Sequence, residues 1–243
     1  MTIYDLECVI IHCGEPTLKK CVASIENQTY LPFVLRWVEH VTPLNESINK
    51  MHSIITNPYC IKVDADMELY PKCFELLYLL ITVLGDDYWN ASVMLDDPYI
   101  GTMGAIHIYR TEYIKNLIVP NIIGCDRWIV KEMEKQGLKR HEVNMVMGKH
   151  NSNWSLDNVF KRHLRMGQKH THYKSNRHDD WIKNIGSKWL AGDRSAFIAL
   201  LGYCYGLLNE NKNEKDTQFG ETEWGIVRGL LTSGVIPKPE DIR

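Results

Sequence analysis

Two aspartates two positions apart, Asp64 and Asp66, are the residues of this sequence best placed for chemistry. They follow a short apolar, β-branched run containing Ile61 and Val63, which is typical of a buried strand. Carboxylates two apart on an extended segment point to the same side, so a turn at the second can bring both to one hard divalent cation. The pattern indicates a Mg²⁺ or Mn²⁺ site that carries a diphosphate. A strand end whose acids only begin a turn is the alternative that this spacing leaves open.

Composition and charge limit the class of protein. The chain has 243 residues, 44% of them apolar and 24% charged, which suffices for one sizeable core. A formal charge of -2 provides no general attraction for nucleic acid or for an anionic membrane. The seven cysteines form no Cys-x-x-Cys pair, which predicts reduced, buried thiols rather than a zinc cage. No apolar stretch reaches the roughly 20 residues that a bilayer needs, so the sequence predicts a soluble, cytoplasmic protein.

Strand and helix patterns alternate along the first third of the chain. Apolar runs predict strands at 6–12 and 33–38, and a helix that begins near Pro16 separates them. A second helical pattern at 46–56 leads into the strand before Asp64. This alternation predicts an α/β fold, with a mixed, mainly parallel sheet flanked by helices on both faces.

Three more strands are predicted after the aspartate pair, at 88–95, 103–109 and 142–147. The connection between the first two is short, which favours antiparallel pairing over another helical crossover. Helical patterns lie at 111–118 and 125–136.

The pattern of the chain changes after the last predicted strand, and we place a domain boundary near Tyr173. Helical periodicity dominates from Ser155 to Ser233, which predicts a catalytic domain of residues 1–173 followed by a helical extension of residues 174–243. Aromatic side chains in the extension predict core packing first, and an acceptor or homo-oligomer surface second.

The end of the first helix and the aspartate pair together resemble a known family. The helix ends in Ser24-Ile25-Glu26-Asn27-Gln28-Thr29-Tyr30, and Asp64-Ala65-Asp66 follows later in the chain. This combination resembles the nucleotide-sugar glycosyltransferases of the GT-A type, especially the inverting family 2, well over 6–84 and loosely over 88–150. The resemblance implies a Rossmann-like, metal-dependent enzyme. It would transfer a sugar from a nucleoside-diphosphate sugar, with UDP expected, to a hydroxyl acceptor such as a glycan or lipid-linked sugar.

The resemblance also implies a metal site built on the Asp-x-Asp motif. Asp66 is expected to bind the ion directly, with Asp64 contacting the ribose, the sugar or the metal through water. His150 stands at the place of the family's late histidine ligand, and an imidazole ligand favours Mn²⁺ over Mg²⁺. A loop histidine without a ligand role is the equally open alternative.

Nucleotide contacts are expected above the first two strands. The residues that correspond to the family's nucleotide loop and to its acid after strand two are His12, Gly14, Glu15 and Glu39. The family's usual Pro-Thr-Tyr-Asn and Asp-Asp-Gly-Ser phrases are missing here, so the base and ribose contacts stay open. Asn49 aligns with an asparagine in the family's helix before Asp-x-Asp, although a solvated amide on a helix face is an alternative.

Inverting transfer needs a general base that takes the proton of the acceptor hydroxyl. In the family this is the aspartate of a Glu-Asp phrase that begins a helix, and Asp126 occupies that position. Arg127 is expected to reach the diphosphate and Trp128 to stack on a sugar ring. A cysteine replaces the usual glutamate, and an aspartate near a helix start also serves as an N-cap. Asp97 is the second candidate for the base, with a turn-starting role as its alternative.

Three other functions remain open at this point. A sugar nucleotidyltransferase normally has a glycine-rich phosphate loop after strand one, and residues 12–16 are poor in glycine. A non-catalytic sugar- or partner-binding module would not need this set of acids and histidine. A transferase acting on modified bases of nucleic acid is disfavoured by the low overall charge. The cationic segment 161–178 nevertheless leaves binding to nucleic acid possible. The same segment could also form a flap that closes over the diphosphate, or a solvated face.

Overall fold

The structure is a computed structural model that describes residues 5–30, 32–151, 155–174, 178–208, 225 and 229. The chain divides into two compact units, Met1–Ser152 and Asn153–Arg243. The domain boundary predicted near Tyr173 coincides instead with the end of a helix. The helical segments predicted beyond Leu208 lie outside the described residues, apart from 225 and 229, and so do residues 175–177 of the cationic segment.

The first unit is built on one seven-stranded sheet. Its strands are β1 (Leu6–His12), β2 (Val34–Glu39), β3 (Tyr59–Asp64), β4 (Met67–Leu69), β5 (Tyr88–Asp97), β6 (Gly101–Arg110) and β7 (Lys139–His150). They are arranged in the order β2-β1-β3-β6-β5-β7-β4. Strands β1, β2, β3, β5 and β7 run in one direction, and β6 and β4 run against them. The predicted mixed, mainly parallel sheet is confirmed, as is the antiparallel pairing of β5 with β6.

Helices cover both faces of this sheet. They are α1 (Leu18–Glu26), α2 (Leu44–Ile54), α3 (Cys73–Val83), α4 (Thr111–Ile114) and α5 (Cys125–Lys135). Because side chains alternate along a strand, Ile61 and Val63 of β3 join the core under α1 and α3, whereas Cys60 joins the core under α2 and α5. Burying each such aliphatic side chain stabilises the fold by about 1.5–3 kcal/mol.

Two features of the first unit differ from the sequence pattern. Strand β4 has only three residues, which is too short to show a strand period. The helix predicted at 111–118 ends at Ile114, and the chain then runs along α2. There the ring nitrogen Nδ1 of His52 lies 2.9 Å from the carbonyl oxygen of Leu117, so side chains rather than a longer helix satisfy this backbone.

Three helices form the described part of the second unit: α6 (Leu156–Tyr173), α7 (His178–Leu190) and α8 (Arg194–Leu208). Helices α6 and α8 approach closely through glycines, since a Cβ atom at Gly202 would lie 2.5 Å from the carbonyl oxygen of Phe160. The buried Nδ1 of His170 lies 2.6 Å from the hydroxyl of Tyr203, which links the same two helices. Within the described residues, no helix combines the length and the apolarity that crossing a bilayer requires.

Candidate functional site

Every one of the five strands that run in the same direction ends in a polar residue. The last residues of β1, β2, β3, β5 and β7 are His12, Glu39, Asp64, Asp97 and His150. All five therefore lie along the carboxyl edge of one sheet, which is where open α/β sheets bind their ligands. Four of them were predicted to meet the nucleotide or the metal, and Asp97 to act as a base.

Asp66 and His150 meet at this edge. Strand β4 pairs antiparallel with β7 so that Met67 lies opposite His150. The backbone nitrogen of Asn151 donates to the carbonyl oxygen of Asp66 at 2.6 Å, which closes the pairing at its outer end. As a result, Oδ2 of Asp66 lies 3.2 Å from Nε2 of His150. The structure brings together Asp66 and His150, two of the three residues that the resemblance implied for the metal site.

Asp97 lies on the other side of the same imidazole. Its Oδ2 lies 3.0 Å from Nδ1 of His150, and its side chain is fully buried. Its Oδ1 accepts hydrogen bonds from the backbone nitrogens of Tyr99 and Ile100, at 2.9 and 3.0 Å. The imidazole of His150 is thus held between two carboxylates, one from the turn between β3 and β4 and one from the end of β5.

The close approach of β4 to β7 depends on a glycine. A Cβ atom at Gly148 would lie 2.7 Å from the carbonyl oxygen of Glu68 and 2.9 Å from Cδ2 of Leu95. Side chains do not tolerate such distances, so another residue at 148 would separate the strands. Gly148 therefore allows the pairing that brings Asp66 to His150.

The helix phrase that carried the family resemblance anchors the segment after the aspartate pair. The amide of Gln28 donates to the carbonyl oxygen of Tyr70 at 3.0 Å and accepts from the backbone nitrogen of Phe74 at 2.9 Å. The hydroxyl of Ser24 accepts from the backbone nitrogen of Leu69 at 3.0 Å. The tip of α1 thus fixes the end of β4 and the start of α3. This gives a physical reason for the phrase and the Asp-x-Asp motif to occur together.

Asp64 has a different partner from Asp66. Nζ of Lys62 lies 2.6 Å from both of its carboxylate oxygens, on the same face of β3. Strand β3 lies beside β1, with Asp64 opposite Ile11. Asp64 therefore lies between the strands predicted to contact the nucleotide and the pair of Asp66 and His150, and the ammonium group of Lys62 already neutralises it.

The residues predicted for the nucleotide cluster at the ends of β1 and β2. Nε2 of His12 lies 3.5 Å from Oε1 of Glu39, whereas the buried Nδ1 of His12 has no hydrogen-bond partner among the described residues. Gly14 has φ of 87°, a conformation that favours glycine. Glu15 turns back, so that its carboxylate accepts from the backbone nitrogen of Cys13 at 2.8 Å. The end of β1 thus places an unsatisfied imidazole nitrogen, that of His12, at the position predicted for the nucleotide.

Asn49 has a structural partner. Its amide exchanges two hydrogen bonds with the backbone of Val119, at 3.1 Å as donor and 2.8 Å as acceptor. This engagement ties α2 to the segment after α4. Its assignment to the nucleotide stays a prediction.

Helix α5 presents Asp126 in its first turn. The N-cap of α5 is Gly124, with φ of 67°, so Asp126 does not occupy the capping position that sequence alone left open. Asp126 is exposed, and Arg127 and Trp128 are half-buried, with Trp128 packed against the core under α2 and α5. Whether these three side chains meet the acceptor, the diphosphate and the sugar stays a prediction.

His107 on β6 belongs to this region, although the sequence did not single it out. It lies opposite Lys62 in the sheet, and its Nδ1 is 3.3 Å from Oδ1 of Asn90. Burial, then the positive charge of Lys62, lowers the pKa of His107 to about 4, while the charge of Asp126 opposes this shift. Charge interactions therefore link β3, β6 and the start of α5. Lys62 and Asp64 are two residues apart on one strand, and this spacing is the sequence signal that could have predicted their pairing beside His107.

Within the described residues, no three His, Cys, Asp or Glu side chains gather closely enough to hold a metal ion by themselves. The edge supplies two converging donors, Oδ2 of Asp66 and Nε2 of His150. Mg²⁺ and Mn²⁺ sites commonly leave the remaining positions to water and to substrate phosphates. The donor set therefore fits an ion that arrives with a diphosphate.

Comparison with solved structures identifies the fold. The chain is similar to the mannosyltransferase PcManGT from Pyrobaculum calidifontis, solved in complex with GDP-Man and Mn²⁺, with a TM-score of 0.53 and 12% identity over 97% of this chain and 81% of that chain. It is also similar to S. aureus TarS 1-349 in complex with UDP, with a TM-score of 0.51 and 10% identity over 82% of this chain and 89% of that one. No protein-family model and no curated protein matches the sequence. The chain thus has a GT-A-like fold.

Proposed function

We propose that this protein is a metal-dependent glycosyltransferase that moves a sugar from a nucleoside-diphosphate sugar to a hydroxyl acceptor with inversion. Two facts support the proposal at the level of the fold. The polar ends of five strands share one edge of a GT-A-like sheet, and solved structures of this fold hold GDP-Man with Mn²⁺ or UDP. The argument for this chain rests on its own residues.

The contact between Asp66 and His150 is the observation that carries the proposal. An ionised Asp97 can only accept a hydrogen bond from Nδ1 of His150, so a neutral ring would present its lone pair at Nε2. That lone pair faces Oδ2 of Asp66, a second electron donor, at 3.2 Å. Two atoms that both present lone pairs repel each other at this distance, so a positive charge, either a proton or a metal ion, is required between them. A divalent ion held by both of these atoms would supply that charge.

Asp66 and His150 would hold the ion, with the diphosphate and water completing its coordination. When bound, the ion supplies a Lewis acid that neutralises the charge developing on the departing diphosphate. An imidazole in the donor set favours Mn²⁺ over Mg²⁺. Asp64, already neutralised by Lys62, is better suited to accept a hydrogen bond from a ribose or sugar hydroxyl.

The nucleotide would lie above the ends of β1 and β2. The buried Nδ1 of His12 needs a partner, and the loop at Gly14 lets the backbone approach a ligand. Glu39 is well exposed and can accept a hydrogen bond from an N–H group of a base or from a hydroxyl of a ribose. We propose uridine as the first nucleoside to test, with guanosine as its comparison.

Asp126 is the proposed general base. It would take the proton of the acceptor hydroxyl as that oxygen bonds to the anomeric carbon, while the bond from this carbon to the diphosphate oxygen breaks. Its position two residues after the N-cap leaves its carboxylate exposed at the start of α5. Arg127 would steady the diphosphate by its charge, and Trp128 would line the sugar site.

A thermal-shift screen tests this function. UDP, GDP and their sugars are added with Mn²⁺, with Mg²⁺ or with a chelator, to the wild-type protein and to Asp66→Asn. We expect a nucleoside diphosphate to raise the melting temperature only when a metal is present, and Asp66→Asn to lose most of this shift. Asp86→Asn is the matched control, since Asp86 is almost fully exposed. It should behave as the wild-type protein does.

Two results would count against the proposal. A nucleotide shift that is the same in chelator would remove the metal from the site. Failure of every nucleoside diphosphate to shift the wild-type protein would remove the nucleotide-sugar donor.

A further inference from the structure

A fully buried carboxylate stands behind the histidine of the proposed metal site. Asp97 accepts hydrogen bonds from the backbone nitrogens of Tyr99 and Ile100 through Oδ1, and its Oδ2 lies 3.0 Å from Nδ1 of His150. Its side chain has no exposed surface. A carboxylate that is enclosed in this way cannot reach an acceptor hydroxyl, which makes it unsuited to be the general base.

The position of Asp97 is set by rigid elements. It is the last residue of β5 and pairs with Gly101 across the turn to β6, where Gly101 has φ of 74°. Its neighbour Asp96 lies opposite Lys149 in the parallel pairing of β5 with β7. The carboxylate and the imidazole therefore come from adjacent strands whose register is fixed. Movement of one relative to the other would require rearrangement of the sheet.

We propose that Asp97 is a positioning residue that holds His150 with its proton on Nδ1, so that the lone pair of Nε2 faces Asp66. This inference rests on the proposed function, because the ligand role of His150 belongs to it. An ionised carboxylate only accepts hydrogen bonds, so Nδ1 of His150 must donate. Carboxylates behind ligand histidines select the tautomer and the ring orientation, and their loss commonly weakens metal binding 10- to 100-fold.

Asp97→Asn is an informative change because the side chain at 97 would then donate a hydrogen bond to Nδ1 of His150 instead of accepting one. The amide oxygen must stay with the backbone nitrogens of Tyr99 and Ile100, since the opposite orientation would bring N–H groups together. The amide nitrogen then faces Nδ1 of His150 as a donor. The neutral ring must move its proton to Nε2, which leaves no lone pair for a metal ion.

The first measurement is a Mn²⁺ titration followed by electron paramagnetic resonance, with UDP or GDP present, on the folded protein. We expect Asp97→Asn to raise the dissociation constant for Mn²⁺ by about 10- to 100-fold. Asp96→Asn is the matched control, because it removes the same charge from the exposed neighbouring residue, and its dissociation constant should stay within about twofold of the wild-type value. Unchanged affinity in folded Asp97→Asn would overturn the proposal.

The second measurement needs no metal and no folded variant of Asp97. Two-dimensional ¹H–¹⁵N spectra of the metal-free wild-type protein distinguish the two imidazole tautomers at a pH where the ring is neutral, and His150→Gln assigns the signal. A proton on Nδ1 supports the proposal, and a proton on Nε2 overturns it. Failure of Mn²⁺ to bind the wild-type protein would instead overturn the metal in the proposed function. The tautomer result would then still decide the role of Asp97.

Discussion

The ammonium nitrogen of Lys62 lies 2.6 Å from each carboxylate oxygen of Asp64. The two acids of the Asp-x-Asp motif thus have different partners, since Asp66 faces the imidazole of His150. A carboxylate that already holds an ammonium group is a poor ligand for a second cation. It retains lone pairs for a hydroxyl, which suits the recognition of a sugar or ribose.

Replacing Lys62 with methionine should weaken donor binding. Asp64 would lose its partner and turn toward water, because both side chains are only partly buried. We expect the dissociation constant for the nucleotide sugar to rise about tenfold, which corresponds to about 1.4 kcal/mol. Isothermal titration calorimetry measures the change. Lys62→Arg keeps the charge and should recover most of the affinity, whereas equal affinities in all three proteins would show that the pair does not serve the donor.

Asp126→Asn should suppress transfer and leave the donor bound. The amide cannot take the proton of the acceptor hydroxyl, so kcat should fall by about 10²- to 10⁴-fold. The metal-dependent shift in melting temperature should persist. Glu134→Gln, on the exposed surface of the same helix, is the control and should retain its rate. Full turnover of Asp126→Asn would assign the base to another residue.

The protein should become less stable between pH 6.5 and pH 4 through His107. Burial and then the charge of Lys62 hold the pKa of His107 at about 4, below its ordinary value of 6.5. Its neutral form is therefore favoured in the folded state, and the unfolded chain takes up the proton first as the pH falls. The contribution is complete above pH 6.5 and is lost toward pH 4, by at most about 3 kcal/mol. Denaturant unfolding of the wild-type protein and of His107→Gln across this range measures it. Parallel pH profiles for the two proteins would contradict the assignment.

Gly148→Ala should damage both stability and metal binding. The added methyl group would meet the carbonyl oxygen of Glu68 at 2.7 Å, so β4 and β7 would have to separate. Overpacking of this kind costs about 1–3 kcal/mol, and the resulting shift moves Asp66 away from His150. Thermal unfolding and a Mn²⁺ titration measure the two effects. Gly186→Ala is the control, since a Cβ atom there meets nothing and alanine favours the helix. An unaltered metal affinity in Gly148→Ala would show that metal binding does not depend on the close approach of β4 to β7.

Much of the fold could be predicted because local patterns determine it. The apolar run before Asp64 and the helix phrase from Ser24 to Tyr30 are continuous in sequence, and they predicted a buried strand and its neighbouring helix. The position of His150 at the end of a strand followed in the same way. Each of these predictions needed only side-chain alternation and helical spacing.

The arrangement of the site could not be predicted in full because it depends on which strands become neighbours. Asp97 meets His150 only because β5 lies beside β7, and Asp66 meets it only because the three-residue strand β4 lies on the other side. No local period encodes that order. The pairing of Lys62 with Asp64 did have a local signal, since residues two apart on a strand share a face. The effect of the Lys62 charge on a neighbouring residue could not be predicted, because that neighbour, His107, belongs to a strand far along the chain.

The location of His150 at the end of β7 has a consequence for synthesis on the ribosome. The proposed ion site joins residue 66 to residue 150, so a nascent chain that stops before its seventh strand has one half of the site only. An ion bound at the proposed site would therefore not guide the early stages of folding. It would bind only molecules whose sheet is already complete, and would stabilise their folded state by mass action.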